Sequence, residues 1–461
     1  MRRRRTLRPR GKSEMKQLIR LVAALLSAAI LTACGGNTVP SSSTPTSVAR
    51  SQSALGPRAA HGVTEKVLYS FAGGSDGSHP LDEALIAANG TLYSSTERGG
   101  GSACESSDGC GTVFKMSTSG AESVLYSFKG APDGQYAKGG VVERSGVLYG
   151  TTQNGGKYGN GTFFKTTTSG KETVLHSFGA AVSSGYDGIA PYAGLIYVQA
   201  DDKFYGTTIY GGTGTCGTSG AGCGTVFSVT PSGKETVLHS FAGGQDGDFL
   251  TGSLVYNNGK LYGTTQLGGG GGGSLCGSSD PGCGTIFSVS TSGTEKVLYS
   301  FTGGSDGAFP DAGLIELNGT LYGMAQQGGA GCGSDGCGTI FSLSASGALK
   351  TIYGFHGPPN DGALPWGNLT NVKGVLYGAT QLGGASTKCA TFSSITGCGV
   401  VFRVTTSGTE KMLHSFKDGP DGADPITTLL YLNGVLYGTT YFGGSGSCSN
   451  GCGTVFSLSG L

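Results

Sequence analysis

Residues Cys283–Phe301, CGTIFSVSTSGTEKVLYSF, read as two short strands joined through a Ser-Gly turn. The same sentence recurs with small edits along the chain. It opens as GCGTVFKMSTSGAESVLYSF at Gly109 and closes as GCGTVFSLSG at Gly451. Recurrence at a fixed period sets the architecture before any single motif is read. Cutting after each Ser-Gly turn divides the chain into seven units: 64–120, 121–170, 171–233, 234–293, 294–347, 348–408 and 409–461.

Each unit carries four strand-like runs. In the fifth they are Lys296–Phe301, Gly313–Leu317, Thr320–Gly323 and Gly338–Leu343. Asn318-Gly319 between two apolar runs signals a type I′ hairpin, as do Asn89-Gly90, Asn258-Gly259 and Asn433-Gly434. No segment after Thr64 sustains a 3.6-residue apolar period, so helix is not expected. Seven sets of four antiparallel strands describe an all-β, seven-bladed β-propeller. Lys66–Phe71 is an outer strand alone at one end, and Gly453–Leu458 a third strand at the other. The N-terminal strand is therefore expected to complete the last blade and close the ring.

Composition agrees. Glycine accounts for 89 of 461 residues, far above the usual ~7%, but without a collagen period. Twenty Tyr and 20 Phe fall at fixed places in the repeat. Tyr93, Tyr149, Tyr205, Tyr262, Tyr322, Tyr377 and Tyr437 share one position. Phe71, Phe128, Phe178, Phe241, Phe301, Phe355 and Phe416 share another. Seven copies of one aromatic suit packing between blades better than a unique active site.

The N-terminus reads as an export address. Met15–Arg20 is a basic n-region and Leu21–Leu31 an apolar core too short to span a bilayer, so residues 1–33 read as a signal peptide. Residues 1–14 are either an extended n-region or a start upstream of Met15. Leu31-Thr32-Ala33-Cys34 resembles the bacterial lipoprotein signal, which implies cleavage before Cys34 and its acylation. Gly35 rather than Asp leans the address toward the outer membrane of the cell envelope. Residues 34–63, rich in Ser, Thr, Pro and Ala, read as a tether. Nine of the 30 Lys and Arg lie between Arg2 and Arg20, leaving 21 basic against 28 acidic residues from Cys34 onward. That balance speaks against nucleic acid as a partner and leaves the lipid on Cys34 as the tie to the membrane.

With Cys34 set aside, twelve cysteines form six local pairs: Cys104/Cys110, Cys216/Cys223, Cys276/Cys283, Cys332/Cys337, Cys389/Cys398 and Cys448/Cys452. The second unit lacks both members at once, as pairing requires. Zinc would need four ligands, and no unit supplies the other two, so disulfides are expected and no metal is assigned. Their expected task is to stiffen long Gly-rich loops that have little core of their own.

The long loops carry the candidates for function. Asp-Gly recurs as Asp76, Asp133, Asp187, Asp246, Asp306, Asp361 and Asp421. These aspartates are either a ring of carboxylates near the funnel, binding cations or sugar hydroxyls, or seven Asx-type turns, and the turn is favoured. His176, His239 and His414 replace the Tyr of other units and are expected on outer strands. His356 and Trp366 are unique to the sixth unit and are expected to flank Asp361, where a sugar could stack. No nucleophile elbow, HExxH, P-loop or paired carboxylate is present, and no catalytic residue or cofactor is assigned.

The repeat closely resembles the tandem-repeat family called GloVer, on GTVF-x4-SG-x-E-x-VLYSF, NG-x-LYGTT and the Gly-Gly loop. The third unit departs with Ala200-Asp201-Asp202-Lys203 in place of Asn-Gly, the second in its missing cysteines. The resemblance implies an exported β-propeller-like protein and no particular activity. The expectation is a monomeric, non-enzymatic propeller lipoprotein presenting a binding face to protein or glycan. The alternatives are a lyase or glycoside-acting enzyme with a site in the funnel, or a purely structural envelope component.

Overall fold

The computed structural model describes residues 62–461, apart from 82–84, 102–103, 105–107, 183–184, 217–220, 272–274, 277–281, 390–391 and 393–394. The expected leader, Cys34 and most of the tether lie outside the described residues. Seven antiparallel blades form a β-propeller. The only helical turn among the described residues is Gly419–Asp421.

Blade 5 shows the pattern. Ile315–Leu317, Thr320–Ala325, Thr339–Leu343 and Leu349–Gly354 run from the axis outward, each paired with the next. The hairpin between its first two strands has φ of 52° at Asn318 and 81° at Gly319. Positive φ at both central residues is the type I′ turn that Asn-Gly predicts. Each blade's outer strand opens the following repeat unit. The last blade takes its outer strand from the other end of the chain: Thr64–Ser70 pairs with Thr454–Ser459. That closes the ring as expected.

Two blades extend the four-strand pattern, blade 6 by longer strands and blade 3 by added ones. In blade 6 the inner strand runs from Gly362 to Val372 and pairs with Val375–Gly383. In blade 3 Gly185–Pro191 pairs with the long strand Lys203–Gly212, and Ala181–Val182 pairs with Gly185–Pro191. The unit's Asp202 takes the positive φ, 55°, that Asn supplies in four other units and Ser145 and Lys373 in the remaining two.

The core lies between blades. Phe301, at the end of one blade's outer strand, meets Phe341 of the next at 5.2 Å and 63°. Seven such edge-on pairs recur around the ring, from Phe71–Phe114 to Phe416–Phe456, at 5.0 to 5.3 Å. Each contributes roughly 0.5–1.5 kcal/mol beyond the apolar area it buries. The second Phe explains the Gly of LYGTT. A Cβ on Gly263, Gly323 or Gly438 would sit 2.6 Å from the facing Phe Cζ. Beside them, Thr hydroxyls pair across the second and third strands, as in Thr265–Thr285 at 2.8 Å.

All six expected disulfides form: Cys104–Cys110, Cys216–Cys223, Cys276–Cys283, Cys332–Cys337, Cys389–Cys398 and Cys448–Cys452. Each lies in the loop between second and third strands. Their surroundings correct the expectation of loops without a core. Cys110 is only 1% exposed and Cys337 is fully buried. Cys110 shares a buried cluster with Val113, Phe128 and Phe164, and Cys337 one with Ile340, Phe355 and Phe402. The reason is position. Each stands two residues ahead of a third strand, Thr112–Ser117 or Thr339–Leu343, where the chain has already turned into the packing between blades. Cys110 and Cys337 are therefore core residues that no ligand on the loop face can reach. Cys223, Cys283, Cys398 and Cys452 are buried at the same place.

The disulfides share a face with the Asp-Gly loops: a Cβ on Gly303, just before Asp306, would touch Cys276 and Cys283 Sγ. Six of them place the chain in an oxidising compartment.

Candidate functional site

The seven Asp-Gly aspartates turn outward. Asp76 accepts the Tyr69 hydroxyl at 2.8 Å and the Ala72 N–H at 2.6 Å. Asp133 and Asp306 repeat this with Tyr126 and Tyr299. Asp361 takes Tyr353 and the His356 N–H. Asp187, Asp246 and Asp421 face His176, His239 and His414 instead. Each carboxylate also holds a backbone N–H of its own loop, which is the turn arrangement. His356 lies 3.3 Å from Asp361 with its side chain 70% exposed.

The funnel is built three to five residues further along each loop. Three residues after each Asp stands His79, Tyr136, Ala190, Phe249, Phe309, Leu364 or Asp424, and all seven have positive φ, between 53° and 64°. A left-handed non-Gly residue costs roughly 1–2 kcal/mol and persists where its surroundings fix it. Here the N–H donates to a carbonyl of the preceding blade, at 2.8 to 3.4 Å. In six blades that acceptor is the second half-cystine. Cys110 serves Tyr136 at 2.8 Å, Cys337 serves Leu364 at 2.9 Å, and Cys452 serves His79 at 2.8 Å. In the cysteine-free loop the acceptor is Asn160, for Ala190. The buried half-cystines therefore clamp the strained backbone that faces the axis.

Two residues on, the same repeat position carries Leu81, Lys138, Tyr192, Thr251, Asp311, Trp366 and Ile426. No two are alike, although Pro80, Pro191, Pro310, Pro365 and Pro425 precede five of them. Leu81, Tyr192, Trp366 and Ile426 meet in one buried apolar cluster although they enter blades 1, 3, 6 and 7. Only the axis of a ring brings those blades together. A second variable ring, the residue after LYGTT, supplies Glu97, Gln381 and Tyr441. Together they enclose a cavity of about 50 Å³ lined also by Arg98, Lys138 and Asp424. That is room for a few water molecules or one polar substituent, not a whole sugar ring.

The cavity is electrostatically divided. Glu97, 5% exposed, accepts the Tyr441 hydroxyl at 2.9 Å and pairs with Lys138 Nζ at 3.5 Å and Arg98 Nε at 3.7 Å. Lys138 also lies 4.7 Å over the Tyr192 ring. Burial alone would raise the Glu97 carboxyl; Lys138, Arg98 and Tyr441 outweigh it and hold it below its usual range. Burial, aided by Arg98, pushes His79 down to about 4, leaving a neutral imidazole 4.8 Å from Tyr441. Asp424 goes the other way: burial lifts it to about 7, against a hydrogen bond from Gln381. At the entry to blade 5 burial lifts Asp311 to about 8, against Thr251 and Gln266.

Asp311 and Asp424 make a stability prediction. Their folded pKa values lie above the ordinary carboxylate value, so the folded chain holds protons that the unfolded chain releases. Their contribution is complete below about pH 4 and is lost as pH rises through about 7 to 8. Melting temperature should fall between pH 5 and pH 8, and Asp311→Asn should flatten part of the slope. A melting temperature that rises over that window in both chains would contradict the assignment.

Of the residues singled out in the sequence, only Trp366 lines this cavity. The others that build it were missed because they occupy the repeat positions that vary. That variation, read down the aligned units, was the available signal.

Fold and site together define a disulfide-clamped seven-bladed propeller with a narrow funnel cavity lined by apolar and charged side chains. The chain belongs to the Gloeobacter/Verrucomicrobia repeat family, whose sequence model matches residues 58–275 and 222–456. No curated protein matches it. Among solved structures it is similar to a gluconolactonase from Xanthomonas campestris, at 16% identity over 68% of this chain and 86% of that one, TM-score 0.38. It is similar to a luciferin-regenerating enzyme at 12% identity, 87% and 96% coverage, TM-score 0.40. A europium-containing methanol dehydrogenase gives 11% identity, 86% and 93% coverage, TM-score 0.47. At these values no activity passes from them to this chain.

Proposed function

We propose that this chain is an envelope lipoprotein, anchored to the outer membrane through acylated Cys34, whose propeller recognises a glycan non-covalently at the mouth of the funnel. The observation that carries the reading is the ring Leu81, Lys138, Tyr192, Thr251, Asp311, Trp366 and Ile426: seven near-equal units hold seven different side chains at the axis. A purely structural ring has no reason to vary there. Trp366, Tyr192 and Tyr441 offer apolar faces, and Glu97, Asp424 and Gln381 offer hydroxyl partners. The small cavity admits one substituent of a sugar lying across the mouth.

A glycan array followed by titration calorimetry tests this. Trp366→Ala should weaken binding at least about tenfold, equivalent to ~1.4 kcal/mol. Asp306→Asn, on the outer rim, should leave it unchanged. If no glycan binds, or if Trp366→Ala binds as the native chain does, the reading fails.

One observation favours an enzymatic reading. Glu97 and Asp424 line one cavity with their acidities driven apart, as an ionised base and a protonated acid would be. Turnover of a bound glycan that Asp424→Asn abolishes while binding survives would select it.

A further inference from the structure

The outer rim holds a second set of chemically distinct sites. At three blade junctions an imidazole and two carboxylates from neighbouring blades converge: His176, Asp187 and Glu235; His239, Asp246 and Glu295; His414, Asp421 and Glu65. Within each set the ligand atoms lie within 4.8 Å of one another. The third set spans the ring closure, since Glu65 belongs to the N-terminal strand.

We propose that these three junctions are divalent-metal sites of the one-His, two-carboxylate type, suited to Zn²⁺ or a similar first-row ion.

Three observations carry this. First, the Oε1 atoms of Glu65, Glu235 and Glu295 are shielded from solvent and have no hydrogen-bond partner, as is also true of Glu122, Glu172 and Glu410 at Tyr junctions, so the imidazole is what sets these three apart. An unmatched carboxylate oxygen beside a second carboxylate needs a cation or a proton between them. Second, His–Asp separations are 3.1 Å at His176 and 3.3 Å at both His239 and His414, the first two being long hydrogen bonds. Charge-assisted N–H···O bonds are shorter, about 2.7–2.9 Å. Two ligands bound at 2.0–2.1 Å to a tetrahedral ion lie about 3.3 Å apart, which these separations match. His414 Nε2 is also buried and makes no hydrogen bond, although Asp421 is that close. Third, the remaining junctions hold Tyr where these hold His. There the hydroxyl donates to the Asp, at 2.8 Å for Tyr69, Tyr126 and Tyr353 and 3.1 Å for Tyr299. Tyr satisfies the Asp with a proton of its own; His offers a lone pair.

Charge balances as well. Neutral imidazole, two carboxylates and a divalent cation sum to zero, which suits a half-buried junction. Without the ion, burial raises Glu65, Glu235 and Glu295, with the neighbouring Asp421, Asp187 and Asp246 adding to it in turn. Glu235 reaches about 8. His414 and Lys417 oppose the rise at Glu65, and His239 at Glu295. Each bound ion would tie the outer strand of one blade to that of the next. The open coordination positions go to water, since each set supplies three protein ligands.

The full chain, disulfides intact, is dialysed against micromolar Zn²⁺ and its metal content measured. Three ions per chain are expected. His176→Tyr, His239→Tyr and His414→Tyr should each remove one, and the triple variant all three. Tyr is the natural occupant of the other junctions, so these variants should fold, as melting in EDTA verifies. Conversely, Tyr126→His, opposite Asp133 and Glu172, should add an ion. Zn²⁺ should raise the melting temperature of the native chain and not of the triple variant. A native chain that binds no Zn²⁺, or a triple variant that binds as much as the native chain, overturns the proposal and leaves a shared proton at these junctions.

Discussion

A chain beginning at Ala72 is expected to lose cooperative folding. The deleted strand Thr64–Ser70 is the outer strand of the last blade, paired antiparallel from Thr64 against Ser459 to Ser70 against Thr454 with a register shift at Leu68. Phe71 goes with it. That ring is fully buried and packs edge-on to Phe114 of the first blade at 5.3 Å. Removing one such ring costs roughly 3–5 kcal/mol. A whole domain has only about 5–15 kcal/mol to lose. The deletion also bares Thr454–Ser459 as an open edge, a template for pairing between chains. The truncated chain should therefore show no sigmoidal melt and should sediment as aggregates. Phe71→Ala in the full chain should melt cooperatively but be destabilised by roughly 3–5 kcal/mol. A truncated monomer melting close to the full chain would mean that the ring does not depend on this closure.

That strand was legible in the sequence because it repeats. VLYSF at the head of the first unit has a counterpart in every other unit, so its solitude at one end and the missing outer strand at the other imply each other. The disulfides were legible for a similar reason: both cysteines vanish together in the second unit. That Cys110 and Cys337 belong to the core was not, because the Gly-rich run around them carries no apolar pattern and their packing partners come from other strands. Type I′ turns announce themselves in Asn-Gly through local sterics alone. The funnel is different. Its side chains are placed by a left-handed residue three positions after each Asp, and His79, Tyr136 and Leu364 share no side-chain chemistry that would mark such a backbone. The conformation is imposed from the preceding blade, by the half-cystine carbonyl, and sequence periodicity does not report that contact. The rim sites are hidden for the same reason. Glu235 follows His176 by a whole repeat unit, and only blade packing makes them neighbours.

Replacing Lys138 by Met should destabilise the protein by roughly 3–5 kcal/mol at pH 8, because it leaves Glu97 as a buried charge with weakened compensation. Lys138 and Glu97 are 3.5 Å apart with side chains 8% and 7% exposed, so water cannot take the place of the lost ammonium. Arg98 remains, but at 3.7 Å and with its charge shared with Asp108. The pH dependence gives the sign. In the native chain Glu97 sits below its unfolded pKa; its contribution is present above that value and is lost as pH falls through the folded one. In Lys138→Met burial, already the largest single influence, is no longer outweighed and lifts the carboxyl instead. The folded variant then takes up a proton that the unfolded chain does not hold, so its deficit should shrink as pH falls from 8 to 5. Glu97→Gln added to Lys138→Met should recover most of the loss, since neither charge then remains buried. Urea unfolding of the four chains at pH 5 and pH 8 measures the coupling. A deficit independent of pH, or a double variant as unstable as the sum of the two singles, would show that Lys138 acts through its packing on Tyr192 rather than through its charge.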